Sequence, residues 1–475
     1  MINELLLVAY VALIVLLSFK LRQGTFSGFV ISDRNIAYPA VIGIAFTAAY
    51  FSAASFLGGG GYGLVAGMPW VVFCTFLHVG FACLAWLMAG KVWSMAKKYD
   101  AKTVPQLLEK RYHSPAGKVI LAVIMLILYT VYLVPIFKGC ATLFQGLIGV
   151  SYLQGLMIAV AIVAIYYAIG GLPAIIWIGF IQGVLMLFGA VFLYSGLYSA
   201  GGGMDIWQHI PASVLSMNGL NIPWQKTLGM AFSISLGLLA LPDLLIMIFS
   251  AKDRRVVRFA GIWGPISIGI YALCIFSLGI FAYGALSPEQ LGPFLKNPDG
   301  LVPFLAKTLL PPGFDGLILL AAISAAMSTM SAIVLVTTTA LTSDILRYIH
   351  PEISDRTTLL LTRVVGVSIL LIAAVSAVDV PQQIVPLVSV SMGVIACCVF
   401  VPLIFGLYWD RGTQTGFIAS LIASFASVVA WNFYGNPLIH PVFIGIICGT
   451  AAYVLASLAT NRPECAQVTD GSKAA

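Results

Sequence analysis

The chain has 475 residues, of which 60 % are hydrophobic and only 9 % charged, against about 25 % charged in a soluble globular protein. That composition excludes a soluble domain and describes a polytopic membrane protein. The formal net charge of +7 is read as membrane topology, with no nucleic-acid partner.

Thirteen apolar segments follow one another, at 2–20, 38–63, 68–93, 118–149, 152–171, 173–198, 225–250, 257–285, 313–343, 358–380, 383–408, 414–434 and 438–460. The first is long enough to span a bilayer and lacks a basic leader, so no cleavable signal peptide is expected. With the N-terminus outside, the inward-facing loops and tail hold 20 of the 24 Lys and Arg, and the outward-facing segments hold Lys226, Lys296 and Lys307. Lys138 falls within a span. The positive-inside rule then predicts N-terminus out and C-terminus in, in the plasma (bacterial inner) membrane.

The second segment carries Thr47-Ala48-Ala49-Tyr50-Phe51-Ser52-Ala53-Ala54-Ser55-Phe56-Leu57 and then four glycines, Gly58 to Gly61. Glycine costs about 1 kcal/mol relative to alanine in a helix interior, so this span is expected to loosen midway. Backbone freed inside a membrane binds ions and substrates in transporters; the alternative is a glycine face for close helix packing. The loop 94–117 predicts an inside surface helix with Val104, Leu107 and Leu108 on one face. The outside loops 199–224 and 286–312 are placed over an outer vestibule. In the ninth segment Ala325, Ser328 and Thr329 stand at i, i+3 and i+4, on one helical face. Two hydroxyls and a carbonyl make half of a hard-oxygen cation site, unless the hydroxyls bond back to their own helix. The eight cysteines show neither zinc spacing nor a disulfide framework, the five histidines form no cluster, and no nucleophile–base pair suggests an enzyme.

Three motifs in order, Ser52-Ala53-x-x-Phe56, Tyr167-Ala168-Ile169-Gly170-Gly171-Leu172 and Tyr408-Trp409-Asp410-Arg411-Gly412-Thr413-x-x-Gly416, together with Ala326-Met327-Ser328-Thr329, resemble the sodium/solute symporter family. The pattern in the second segment is similar to its pantothenate and monocarboxylate-type members. The resemblance implies an all-α, leucine-transporter-like fold forming one transmembrane domain over 1–475. It would comprise an extra helix at 2–20, a core of two inverted five-helix repeats at 38–408, two further helices at 414–460 and a cytoplasmic tail at 461–475. It implies sodium-coupled symport of a small organic solute, a carboxylate such as pantothenate or a monocarboxylate or an amino acid, through the bilayer, with no obligatory protein partner. One Na+ would be held by the carbonyls of Ala48, Phe51 and Ala325 and the hydroxyls of Ser328 and Thr329. Ser55 and Gly58 beside it would contact substrate.

The chain departs from the family at three places. Gly179 stands where some members carry an aspartate for a second sodium, and Ala332 replaces a serine, so one sodium is expected. Pro242-Asp243 replaces a Pro-His pair, and Lys138 interrupts an apolar run. A lysine at mid-membrane costs about 2.5–3.5 kcal/mol, so it is expected to pair with Asp243, to neutralise a substrate carboxylate or to reach the interface. Asp243 and Lys138 are thus candidate substrate residues. They also carry the alternative of proton coupling; a solute sensor is a further alternative.

Overall fold

A computed structural model of the protein describes residues 2–311, 313–379 and 384–460. In chain order it contains α1 (Ile2–Lys20), α2 (Pro39–Tyr50), a π-helical turn at Ala54–Gly59 leading into α3 (Gly60–Ala66), α4 (Met68–Lys98), α5 (Val104–Tyr112), α6 (Pro115–Ile148) and α7 (Tyr152–Ala200). There follow α8 (Trp224–Ala240), α9 (Pro242–Phe249), α10 (Arg254–Phe276), α11 (Leu278–Ala285), α12 (Pro288–Lys296), α13 (Leu301–Leu309) and α14 (Phe314–Thr339). The chain ends with α15 (Asp355–Ser376), α16 (Ile384–Tyr408), α17 (Gln414–Tyr434) and α18 (Pro441–Ala459). The tail expected at 461–475 lies outside the described residues.

Among the described residues eleven helices are long and apolar enough to cross a membrane, and α2 with the following helical stretch forms a further span bent by 72°. The fifth and sixth segments read from the sequence, 152–171 and 173–198, are the two halves of the 49-residue α7, which meet at Gly171 (φ +60°). A side chain there would meet the Phe29 carbonyl at 2.6 Å, so both the backbone angle and the close approach call for glycine.

Contacts between loops sort them onto two ends. At one end the Arg34 guanidinium donates to the carbonyls of Phe249, Ala96 and Ala101, Ile36 pairs with Ala251, and Arg111 donates to Gly406 and Trp409. At the other, Asn221 N–H donates to the Val65 carbonyl, Tyr283 to Leu64 and Tyr152 to Ala377. This is the alternation that the charge pattern requires, with the basic loops gathered at one end.

Two of the sequence expectations change in detail. The helix in the 94–117 loop is α5, capped by the Thr103 hydroxyl on the Gln106 N–H, yet Val104, Leu107 and Leu108 are fully buried. Its apolar face packs on protein, because Tyr112 donates to the Pro402 carbonyl and ties the helix to α16. Cysteines 74, 140, 274, 397 and 398 are buried, while Cys83 is exposed.

Candidate functional site

The bent span breaks earlier than its glycines suggest. The helix of α2 ends at Tyr50, and Phe51 is extended (φ −83°, ψ 121°). Serine chemistry accounts for this position: the Ser52 hydroxyl accepts from the Ala54 N–H at 3.1 Å, and the Ser55 hydroxyl donates to the Ser52 carbonyl at 2.7 Å. Such local bonds compete with the helical ladder. The run Gly58–Gly61 is helical, and it is close-packed. A side chain at Gly59 would meet the Phe276 ring at 2.7 Å, at Gly60 the Val302 side chain at 2.7 Å, and at Gly61 the Pro298 carbonyl at 1.9 Å. The glycines therefore let α10 and the 286–311 loop approach, and it is Phe51 and Ser52, well before them, that unwind.

Unwinding at Phe51 and Ser52 leaves carbonyls without helical partners, and α14 supplies them. The Ser328 hydroxyl donates to the Ala48 carbonyl at 2.6 Å and lies 2.9 Å from that of Ala325. Thr329 lies 3.3 Å from the Phe51 carbonyl and 3.1 Å from that of Ala325. Five oxygens from two elements thus converge in a fully buried place. All are uncharged, which suits a monovalent cation; divalent ions are usually held by carboxylates. Hydroxyls that now bridge to carbonyls can turn their lone pairs toward an ion without moving the backbone. Among the described residues no group of three His, Cys, Asp or Glu forms another metal centre.

Beside this cluster lies a narrow cavity of about 30 Å³, room for one or two waters. Ser52, Ser55, Tyr50, Phe51, Trp70, Cys74, His78, Tyr132 and Phe276 line it, with Val385, Val388 and Met392 from α16. Of the four residues read as substrate contacts, Ser55 is in this wall. Gly58, Lys138 and Asp243 are not in it. Gly58 packs against Val385 and Asp299.

Asp243 is buried in the first turn of α9 and accepts from the Tyr129 hydroxyl at 2.5 Å. Pairing with Lys138 is one of three roles the sequence leaves open for that lysine, and here Asp243 is engaged with Tyr129. Tyr129 and Lys138 are nine residues apart on α6, about 13 Å along the axis, and Lys138 acts electrostatically on Asp299 instead. Burial raises the Asp299 carboxyl above its ordinary range, and the nearby Lys138 ammonium opposes that shift. Lys138 therefore belongs with the 286–311 loop that covers α3. Gly179 lies in ordinary contact distance of Ala45, and the adjacent polar groups are used internally: Tyr10 accepts from Gln182 at 2.7 Å and from Ser324 at 2.9 Å.

His78, Trp70, Tyr50 and Tyr132 escaped the sequence reading. Trp70 and His78 stand at i and i+8 on one face of α4, a spacing that marks a helical face without any chemistry, and only the fold brings them together with Tyr50 and Tyr132.

A family model for the sodium:solute symporter family matches residues 29–424. The chain is similar to the sodium/pantothenate symporter of Escherichia coli (strain K12), with 27 % identity covering 98 % of each chain. It is also similar to the sodium/proline symporter of Salmonella typhimurium, with 25 % identity covering 86 % of this chain and 85 % of the relative. In fold it resembles a Na+-coupled sialic acid symporter solved in a substrate-bound outward-open state, with a TM-score of 0.82, 16 % identity and 97 % and 98 % coverage. A nucleobase-cation-symport-1 family transporter follows at a TM-score of 0.56 and 15 % identity, covering 92 % of this chain and 96 % of that one. On this evidence the chain belongs to the sodium:solute symporter family.

Proposed function

We propose that the protein is a sodium-coupled symporter of the plasma membrane that carries a small carboxylate or amino acid into the cell by alternating access. The observation that carries this reading is the convergence of Ala48, Phe51, Ala325, Ser328 and Thr329 oxygens across the break between α2 and α14. Ser55, one helical turn beyond Phe51, stands in both the break and the cavity wall, so ion and solute share one flexible segment. Similarity over nearly the whole length to symporters named for pantothenate and proline supports the substrate class. The basic end of the molecule faces the cytoplasm in this reading, with the N-terminus outside.

The chain's own residues couple the two cargoes. Ala48 and Phe51 on one side and Ala325, Ser328 and Thr329 on the other hold sodium between two helices, which fixes the break in one arrangement. That arrangement presents Ser52 and Ser55 to the solute. By linkage, sodium raises solute affinity as much as solute raises sodium affinity. Interrupted helices open each half of the core, α2 at Phe51 and the α8–α9 pair at Leu241, as expected of paired repeats that rock about a central site.

The test is uptake of pantothenate, proline and lactate into proteoliposomes with sodium or choline outside at equal ionic strength. Sodium-dependent accumulation of one of them that is lost in both Ser328→Ala and Thr329→Ala is expected. Uptake indifferent to sodium but driven by a pH gradient would replace this reading with proton coupling.

A further inference from the structure

His78 is almost wholly buried on α4 and forms part of the cavity wall. Its Nδ1 lies 2.6 Å from the Cys74 carbonyl oxygen and 2.9 Å from the Ser235 hydroxyl. A carbonyl can only accept, so Nδ1 carries the proton. In the neutral ring Nε2 then bears a lone pair, and Nε2 is buried without a hydrogen-bond partner. An orphaned buried polar atom in a ring otherwise enclosed by Tyr50, Phe51 and Phe276 calls for an explanation. No carboxylate is in hydrogen-bonding contact with the ring among the described residues, so nothing there favours the imidazolium form.

Three other polar groups of the wall spend their protons within the protein. Tyr50 donates to the Ile234 carbonyl at 3.0 Å, Trp70 to that of Gly59 at 2.9 Å and Ser55 to that of Ser52 at 2.7 Å. What these three leave facing the cavity is acceptor capacity, while the Ser52 and Tyr132 hydroxyls also line it. No Asp, Glu, Lys or Arg is among its lining residues. A solute bearing only acceptors, such as a simple fatty acid anion, would leave Nε2 unpaired in the loaded state as well.

We infer that His78 determines substrate specificity, its Nε2 accepting a hydrogen bond from an O–H or N–H donor that the solute carries beside its carboxylate. The preferred substrates are then hydroxy acids, amino acids or imino acids with a compact apolar body that packs among the aromatic rings. Ser235 is a positioning residue, because its hydroxyl and the Cys74 carbonyl hold the Nδ1 edge and so direct Nε2. This inference narrows the substrate class of the proposed symporter and rests on its carboxylate reading. A site built around such a bond discriminates strongly against an analogue that lacks the donor.

Matched pairs test it: L-lactate against propionate, L-proline against tetrahydrofuran-2-carboxylate, and pantothenate against its 2-deoxy analogue. Affinities of the purified full-length protein are measured by thermal-shift titration in sodium and again in choline. The donor-bearing member of the pair that binds is expected to bind at least tenfold tighter than its partner in sodium. His78→Phe should bring that ratio within about twofold while retaining sodium-dependent binding. His78→Gln, which offers a carbonyl acceptor and guards against a folding defect in the phenylalanine variant, should keep part of the ratio. A ratio near one in the wild type, or a ratio unchanged in folded His78→Phe, overturns the assignment. A His78-dependent ratio equal in sodium and choline would leave His78 in its role and remove sodium coupling, so the two failures are distinguishable.

Discussion

Ser328 and Thr329 each have a single hydroxyl proton, and each spends it on a backbone carbonyl that the broken span or the helix itself provides. Removing one hydroxyl loses about one neutral hydrogen bond, on the order of 1 kcal/mol. It also removes one of five ion ligands. Ser328→Ala is therefore expected to raise the sodium concentration for half-maximal uptake at least tenfold while lowering thermal stability only slightly. Sodium titration of uptake beside a melting curve checks both. Asp243 makes the opposite case. Tyr129→Phe leaves its carboxylate buried without that partner, so a stability loss of about 1–3 kcal/mol is expected, read from thermal unfolding with no change in the sodium constant. Because Lys138 sits near Asp299, Lys138→Met and Asp243→Leu should add independently, to within about 0.5 kcal/mol. Rescue of one change by the other in the same unfolding assay would restore the ion-pair reading.

At the scale of elements, the bent span shows what a sequence can and cannot disclose. The i, i+3, i+4 placement of Ala325, Ser328 and Thr329 was legible because helical periodicity fixes it. The presence of a broken helix was legible only in part, since four glycines in an apolar run fit both a loosened span and the close-packed face they form here. The place of the break was not, because glycine propensity points to Gly58–Gly61 whereas tertiary contact holds those residues helical. Phe51 and Ser52 unwind beside local serine bonds, and the freed carbonyls find partners on α14, some 280 residues away. His78 was illegible for the same reason: its value comes from Ser235 and the Phe51 and Phe276 rings, none near in sequence. The packing role of the glycines has a direct consequence. In Gly61→Ala the new methyl would fall 1.9 Å from the Pro298 carbonyl, a backbone atom that no rotamer change can move. The 286–311 loop must then lift, with a stability loss of about 1–3 kcal/mol. Faster proteolysis or labelling of that loop, with the sodium constant preserved, is the expected signature.

For the whole molecule, the decisive quantity is the charge that crosses per cycle. The proposed ion site consists of five neutral oxygens, and the cavity wall contains no charged side chain, so neither adds fixed charge to the cargo. The net charge moved is then that of one sodium plus the solute. One elementary charge across 100 mV corresponds to about 2.3 kcal/mol, or roughly fifty-fold accumulation at about 1.4 kcal/mol per tenfold. A zwitterion such as proline carried with one sodium should accumulate in proportion to an imposed inside-negative potential. A monovalent anion such as lactate or pantothenate should respond only to the sodium gradient. A potassium–valinomycin clamp on proteoliposomes, set at 0 and −100 mV with the sodium gradient constant, separates the two. Gly179 and Ala332 stand where a second sodium site would need an acid and a hydroxyl, and the neighbouring Gln182 and Ser324 are engaged with Tyr10. Voltage-driven accumulation of the anion would therefore require a second cation held elsewhere, and would overturn the single-ion stoichiometry that these residues imply.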